Sequence, residues 1–350
     1  MRVLFLTYPR IGLNRGGLQI QIEETAQGLT DLGVEVIRYD PWQNQIPNVD
    51  ACHVFSVDGS MVYHTSRAVS LGVPVILSPV LNAFDNRPII TMLKRRLSAL
   101  PGCYSDLRRA GTMLHAASTV VALNPDEREM LIKVFNVESC KCCVIPNGIN
   151  MAFSQGHPAL FERTHGIRNF ILNVASIEPR KNQLALVRAL KNLQYPLVLI
   201  GKATPENDAY LAQCKAEAGP NVRFLGALNH EDPMLAAGYA AAKLFVMPSF
   251  SEVMPLTLYE AAVAGCRILT SDQVPVSASL VPLIKQCPPN DVATLSRLID
   301  AEMRAEQTDV IRQAVTVMPT WKDICKQLLS VYQEATAPGS QMKSVSRQQL

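Results

Sequence analysis

Two carboxylates eight residues apart, Glu252 and Glu260, frame the segment whose residue types could most readily do chemistry, Pro248-Ser-Phe-Ser-Glu-Val-Met-Pro-Leu-Thr-Leu-Tyr-Glu-Ala-Ala-Val-Ala-Gly265. The apolar run Ala241 to Met247 reads as a buried strand that Pro248 stops. Pro255 suits the first turn of a helix that Gly265 would end. Glu252 then falls in a loop and Glu260 inside the helix, roughly 7 to 8 Å along at about 1.5 Å per residue. The amides near Leu256, Thr257 and Leu258 point outward at the helix start, and together with the helix dipole they favour a phosphate. A ligand with a diphosphate in the middle and a hydroxylated ring at each end would meet amides at its centre, one carboxylate on its sugar and the other on its ribose. That is the shape of a nucleoside diphosphate sugar. On residue types alone a second reading stands level with it: Glu252 as a solvated loop residue, and Glu260 as an exposed helix position near a favourable dipole end.

Other candidates lie where strands give way to helices. After the first strand comes Gly12-Leu-Asn-Arg-Gly16-Gly17, whose adjacent glycines let backbone approach a phosphate or sugar, or simply make the turn. Gly-x-Gly-x-x-Gly is absent there. Asn173-Val-Ala-Ser-Ile-Glu-Pro-Arg180-Lys181-Asn182 sets two adjacent cations after a strand, an arrangement able to neutralise a departing diphosphate and also common on surfaces. Gly201 and Gly226-Ala227 end strands, where open parallel sheets bind ligands and where plain turns also need glycine. His53, Asn82 and Asp85 are the acceptor-side candidates, with His53 equally readable as a hydrogen-bonded structural histidine.

These residues need elements to position them. Strand-like runs recur at Met1 to Tyr8, Val34 to Tyr39, Ala51 to Ser56, Val73 to Leu77 and Thr119 to Leu123. Further runs appear at Phe170 to Ala175, Leu197 to Ile200, Val222 to Leu225, Leu244 to Met247 and Arg267 to Thr270, with helical stretches between. Such alternation implies parallel sheets covered on both faces, an α/β fold of two Rossmann-like domains. At 350 residues and 48% hydrophobic, the chain has material for two ordinary cores. The expected divisions are residues 1–160, 161–318, a final helix 319–335 packing back on the first domain, and a disordered tail 336–350 rich in Ser, Gln, Lys and Arg.

Between Pro248 and Gly265 the pattern resembles the Glu-x7-Glu motif of retaining glycosyltransferases of family 4, with Pro-Ser before the first Glu and Glu-Ala, then Ala-Gly, at and after the second. Landmarks in the family's order extend the resemblance over nearly the whole chain: Gly16-Gly17, Leu29 to Gly33 and Val36, Leu123-Asn-Pro-Asp-Glu-Arg, Ile145-Pro-Asn-Gly, Lys181-Asn182 and Thr320-Trp321. The resemblance implies the GT-B arrangement, two domains facing across a cleft with acceptor bound by the first and donor by the second. It implies transfer of a sugar to a hydroxyl with retention, as in polysaccharide or glycolipid synthesis; no metal or other cofactor is expected, since Arg180, Lys181 and the helix end could supply the neutralisation and no paired Asp motif demands one. The roles it implies are Glu252 on the donor sugar, Glu260 on the ribose, Arg180 and Lys181 on the diphosphate, Gly16 and Gly17 on donor phosphate, and the second of the Gly201 and Gly226 loops near the base. Three places depart from the family pattern. Ala175-Ser176 stands for the usual Gly-Arg, Val80 for a His, and Val253-Met254-Pro255 for Gly-aromatic-Gly. These leave two rivals: a sugar-nucleotide epimerase on the same fold, and a degenerate, non-catalytic partner subunit.

Charge and cysteine usage bound the partners. A net +3 is small, yet Arg87, Lys94, Arg95, Arg96, Arg108 and Arg109 stand against Asp106 alone. That is ordinarily a solvated helix face, and otherwise a contact for anionic lipid or a lipid-linked or phosphorylated acceptor. No aromatic interleaving or reader motif points to nucleic acid. Nine scattered cysteines without a second cluster read as buried thiols in a reducing compartment. With no apolar run long enough to cross a bilayer and no signal-peptide pattern, the expected place is cytoplasmic, free or peripheral at the inner membrane face.

Overall fold

A computed structural model describes residues 1–12, 16–40, 42, 46–81 and 105–337. The chain divides into two compact units: Met1–Gly148 with Trp321–Leu350, and Ile149–Thr320.

In the first unit six strands are described: β1 (Arg2–Thr7), β2 (Glu35–Arg38), β3 (Ala51–Phe55), β4 (Val75–Ser78), β5 (Thr119–Ala122) and β6 (Cys142–Val144). They pair in parallel in the order β2-β1-β3-β4-β5-β6. The second unit holds β7 (Phe170–Val174), β8 (Leu197–Ile200), β9 (Val222–Gly226), β10 (Ala242–Met247), β11 (Arg267–Ser271) and β12 (Lys285–Cys287). Their order is β12-β11-β10-β7-β8-β9, again all parallel. The expected pair of Rossmann-like units with parallel sheets is what the chain forms. Helices covering both faces explain why central strands read as unbroken apolar runs rather than alternations: every residue of β3 and of β8 is buried.

Strand order fixes where a site can form. In the second unit the chain leaves β7 toward β8 on one side, while from β10 it leaves toward β11 on the other. The two carboxyl ends therefore feed connections in opposite directions, which opens a crevice between them. Asn173 strengthens that junction, its side-chain amide donating to the carbonyl of Val246 at 2.8 Å. The first unit has the equivalent reversal between β1 and β3.

The boundary expected at residue 160 lies instead after Gly148. Ile149 and Phe153 are buried in the second unit's core beside Tyr239 and Phe245, so apolar burial carries this stretch into that unit. The Ile149 amide donates to the Pro319 carbonyl at 2.9 Å, and Ile149 bridges Thr320 in parallel, closing the unit where the chain leaves it. The helix Trp321–Thr336 belongs to the first unit and packs on the helix Gly17–Asp31. Gly28 permits this approach, because a Cβ there would lie 2.5 Å from the Cys325 sulfur.

Candidate functional site

The helix Leu256–Ala264 follows β10 and is apolar almost all round, with every residue but Thr257 buried. Pro255 precedes it as the capping position rather than lying in its first turn and offers no side-chain cap, and the Leu258 amide, expected to point outward, donates to the Pro255 carbonyl at 3.3 Å. Gly265 ends it at φ 88°, a left-handed value that favours glycine. Before the helix, Pro248–Pro255 carries Glu252 at the carboxyl end of β10. Across the reversal, after β7, a short turn Pro179–Lys181 presents Arg180 and Lys181.

The two loops are stitched together. Asn182, at φ 58°, donates through its amide to the carbonyls of Pro248 (3.0 Å) and Pro289 (2.8 Å). The Phe250 amide donates to the Arg180 carbonyl at 2.8 Å, and Arg180 Nη1 donates to the Ser251 carbonyl at 2.8 Å. On this frame Lys181 Nζ lies 2.6 Å from Glu252 Oε1, while Arg180 Nη1 lies 3.4 Å from Oε2. Arg180 Nη2 is held at 2.6 Å by Glu178. The Glu252 side chain is 4% exposed. Burial alone would raise its pKa, yet the charges of Lys181 and then Arg180, with the hydrogen bond from Lys181, hold the carboxyl below its usual range. Glu252 is thus an anchored anion, not a solvated loop residue.

Glu260 is likewise buried, so the exposed-helix alternative fails. Its Oε2 accepts from the Tyr239 hydroxyl at 2.8 Å, and its Oε1 lies 3.0 Å from His230 Nε2. Neither partner was among the sequence candidates. His230 sits in the loop after β9, and Tyr239 in the helix Pro233–Ala241.

The glycine loops occupy the same edge of this sheet. Gly201 has φ 153°, and a Cβ there would come within 1.8 Å of the Ala175 carbonyl oxygen. Its amide donates to the Gly226 carbonyl at 2.8 Å. Gly226, at φ 76°, and Ala227 are exposed. Leu256 and Thr257 form the helix start as expected. Of the family departures, Ala175-Ser176 is built into the edge, since Ser176 accepts from Gln183 through its carbonyl at 2.8 Å. Val253 is 7% exposed and Met254 packs against the core, so apolar contact, not glycine, shapes the loop after Glu252.

In the first unit, Gly16 is extended and Gly17 begins the helix Gly17–Asp31. A Cβ at either would meet nothing within 4 Å among the described residues. His53 is wholly buried in β3, with Nδ1 2.6 Å from the Tyr332 hydroxyl and Nε2 2.8 Å from Ser78 Oγ. Burial pushes its pKa down to about 3. Its acceptor reading is therefore corrected to a structural one: both ring nitrogens are engaged inside the core. Val80 takes φ 46°, a left-handed conformation that a β-branched residue rarely adopts. Asn82, Asp85 and most of Arg87 to Arg109 lie outside the described residues, with Arg108 and Arg109 in the helix Asp106–Ala116. Among the described residues, the eight cysteines are free, no group of three or more ligands could hold a metal, and no helix is long and apolar enough to cross a membrane.

Residues 162–312, nearly all of the second unit, match the family described as Glycosyl transferases group 1. O-antigen chain mannosyltransferase B of Escherichia coli is 26% identical over 240 residues, covering 63% of this chain and 61% of that protein. The chain thus spans about three-fifths of that relative's length. Among solved structures, sucrose-phosphate synthase from Thermosynechococcus elongatus has a TM-score of 0.73 at 17% identity, covering 95% of this chain and 98% of that one. Anabaena Alr3699/HepE in complex with UDP gives 0.71 at 17% identity, covering 95% and 99%. These structural likenesses show a GT-B fold, in which residues 162–312 are similar to the Glycosyl transferases group 1 family.

Proposed function

We propose that the protein is a retaining glycosyltransferase that moves a sugar from a nucleoside diphosphate donor to a hydroxyl of a glycan or lipid-linked acceptor. The observation that carries this reading is the convergence of Glu252, Lys181 and Arg180 at the strand-order reversal of the second unit, beside a helix start. A crevice at that place suits a nucleotide, and the start of the helix Leu256–Ala264, which Pro255 leaves without a side-chain cap, suits its diphosphate.

In this reading the cations serve two anions in turn. Before donor arrives, Lys181 and Arg180 balance Glu252 and Glu178. Lys181 has three N–H donors and can bridge Glu252 to a phosphate oxygen without abandoning either. As the bond from the anomeric carbon to the diphosphate oxygen breaks, negative charge grows on the leaving group where these cations are already placed. Positive charge grows on the sugar ring, where Glu252, kept ionised by its neighbours, stabilises it. The acceptor oxygen attacks from the face the diphosphate leaves, and the departing phosphate oxygen takes its proton, so configuration is kept. Glu260 holds the ribose. The two cations and the helix start supply the neutralisation, and this scheme requires no metal.

A screen of UDP-, GDP- and ADP-sugars by calorimetry and product mass tests the reading, with mannose donors first because the Escherichia coli relative is named a mannosyltransferase. One donor should bind and be weakened about tenfold or more by Glu260→Ala, the scale of losing a hydrogen bond to a charged group. With acceptor present, the product should carry the donor's anomeric configuration by NMR. Altered sugar nucleotide without acceptor would favour an epimerase, and failure of every donor to bind would favour a degenerate subunit.

A further inference from the structure

We infer that His230 occupies, in the free protein, the place at Glu260 that the donor's ribose takes. Donor binding then exchanges one hydrogen-bond partner of the carboxylate for another. The inference rests on Glu260 being the ribose ligand.

The two groups that cover Glu260 differ in their freedom to leave. Tyr239 is wholly buried, with its ring edge-on to Phe153 at 5.4 Å. Burial, and after it the charge of Glu260, keeps its phenol protonated well above the usual range, so it remains a donor to Oε2. His230 covers Oε1 from a turn between β9 and the helix Pro233–Ala241. Its side chain is 18% exposed and meets the Phe153 ring at 5.2 Å in a tilted contact. A carboxylate accepts only, so Nε2 carries the proton in this contact.

The Glu260 side chain itself is 6% exposed. The imidazole covers Oε1 of a side chain with little other access to solvent, so its withdrawal opens room for a ribose hydroxyl at that oxygen, whereas Tyr239 has no solvent side toward which to withdraw. The turn has one: it follows exposed Gly226 and Ala227, where Gly226 at φ 76° leaves the backbone free of a side chain. A ribose hydroxyl replaces imidazole N–H with O–H at the same oxygen, so the carboxylate is never left bare. A nucleotide lacking those hydroxyls offers no replacement, and His230 stays.

The test measures UDP, GDP and ADP, each with its 2′,3′-dideoxy counterpart, by calorimetry against wild type, His230→Phe and His230→Gln. Phenylalanine keeps a ring against Phe153 and removes the hydrogen bond, whereas glutamine keeps a donor. A melting curve for each variant confirms that it folds. For the diphosphate that wild type binds best, His230→Phe should tighten the ribose form about three- to tenfold, the scale of one hydrogen bond no longer displaced. The dideoxy form should be unchanged, and His230→Gln should return the ribose form toward wild type. Equal changes for both forms, or weaker ribose binding in His230→Phe, would overturn the exchange. His230→Phe that binds ribose and dideoxy forms equally would refute the ribose role of Glu260, and wild type that binds no nucleotide would refute the donor reading. Each of these patterns is distinct, and either of the last two overturns the exchange with its premise.

Discussion

Replacing Lys181 by methionine removes the closer of two cations from a carboxylate that has almost no access to water. Breaking a buried pair from one side costs about 3–5 kcal/mol, because the remaining charge is left uncompensated. Arg180 stays at 3.4 Å from Glu252 and the Lys181 side chain is 14% exposed, which together lower the expectation to about 2–3 kcal/mol at pH 7. At roughly 2–4 °C per kcal/mol for a unit of this size, the calorimetric transition of the second unit should fall by about 5–10 °C. The pH dependence gives an independent check. The folded pKa of Glu252 is depressed, so its contribution is present above the unfolded value of about 4.3 and is lost as pH falls through the folded value. The gap between wild type and Lys181→Met should therefore be widest near neutrality and close in acid. Adding Glu252→Gln to Lys181→Met should recover much of the loss, since the buried anion would be gone. A loss under about 0.5 kcal/mol, a gap that persists in acid, or a double variant as unstable as the sum of the two single ones would refute the reasoning.

Two further substitutions probe one tight contact in each unit. Gly201→Ala would drive a methyl into the Ala175 carbonyl oxygen at a φ that alanine avoids, and should cost the second unit about 2–4 kcal/mol by calorimetry. In the first unit, Tyr332→Phe leaves His53 Nδ1 buried without its partner and should cost about 1–3 kcal/mol while leaving nucleotide affinity in the second unit unchanged. His53 also sets a pH trend: with a folded pKa of about 3 against about 6.5 unfolded, its contribution is full above 6.5 and declines as pH falls toward 3. Chemical unfolding of wild type followed across that range, with His53→Asn as the control lacking the trend, checks it.

Much of this was readable from residues in order, and what was not has physical causes. Apolar runs announce central strands because both faces are covered, but Lys285–Cys287 is short, with Lys285 and Gln286 exposed, and presents no such run. Glu260 was legible as buried: a helix reading Leu-Thr-Leu-Tyr-Glu-Ala-Ala-Val-Ala has no polar face on which to expose it. His53 was legible too, since Cys-His-Val-Phe inside an unbroken strand leaves its ring no route to solvent. The pairing of Lys181 with Glu252 was not, because it depends on β7 lying beside β10, an adjacency that strand order supplies and local sequence does not. His230 and Tyr239 escaped for a similar reason. Each is a single polar residue, 30 and 21 positions from Glu260, without any local pattern to mark it.

The chain crosses from the first unit to the second after Gly148 and returns at Trp321, and the two crossing points touch: a Cβ at Gly148 would lie 2.3 Å from the Trp321 backbone nitrogen. Synthesis proceeds from the amino end, and domains generally fold as units while the chain emerges. The second unit has all of its residues as soon as Thr320 is out, whereas the first must wait for Trp321–Thr336, whose Tyr332 satisfies a histidine placed in β3 long before. The later half of the protein is thus able to reach its native state first, and the earlier half, begun at residue 1, is finished last.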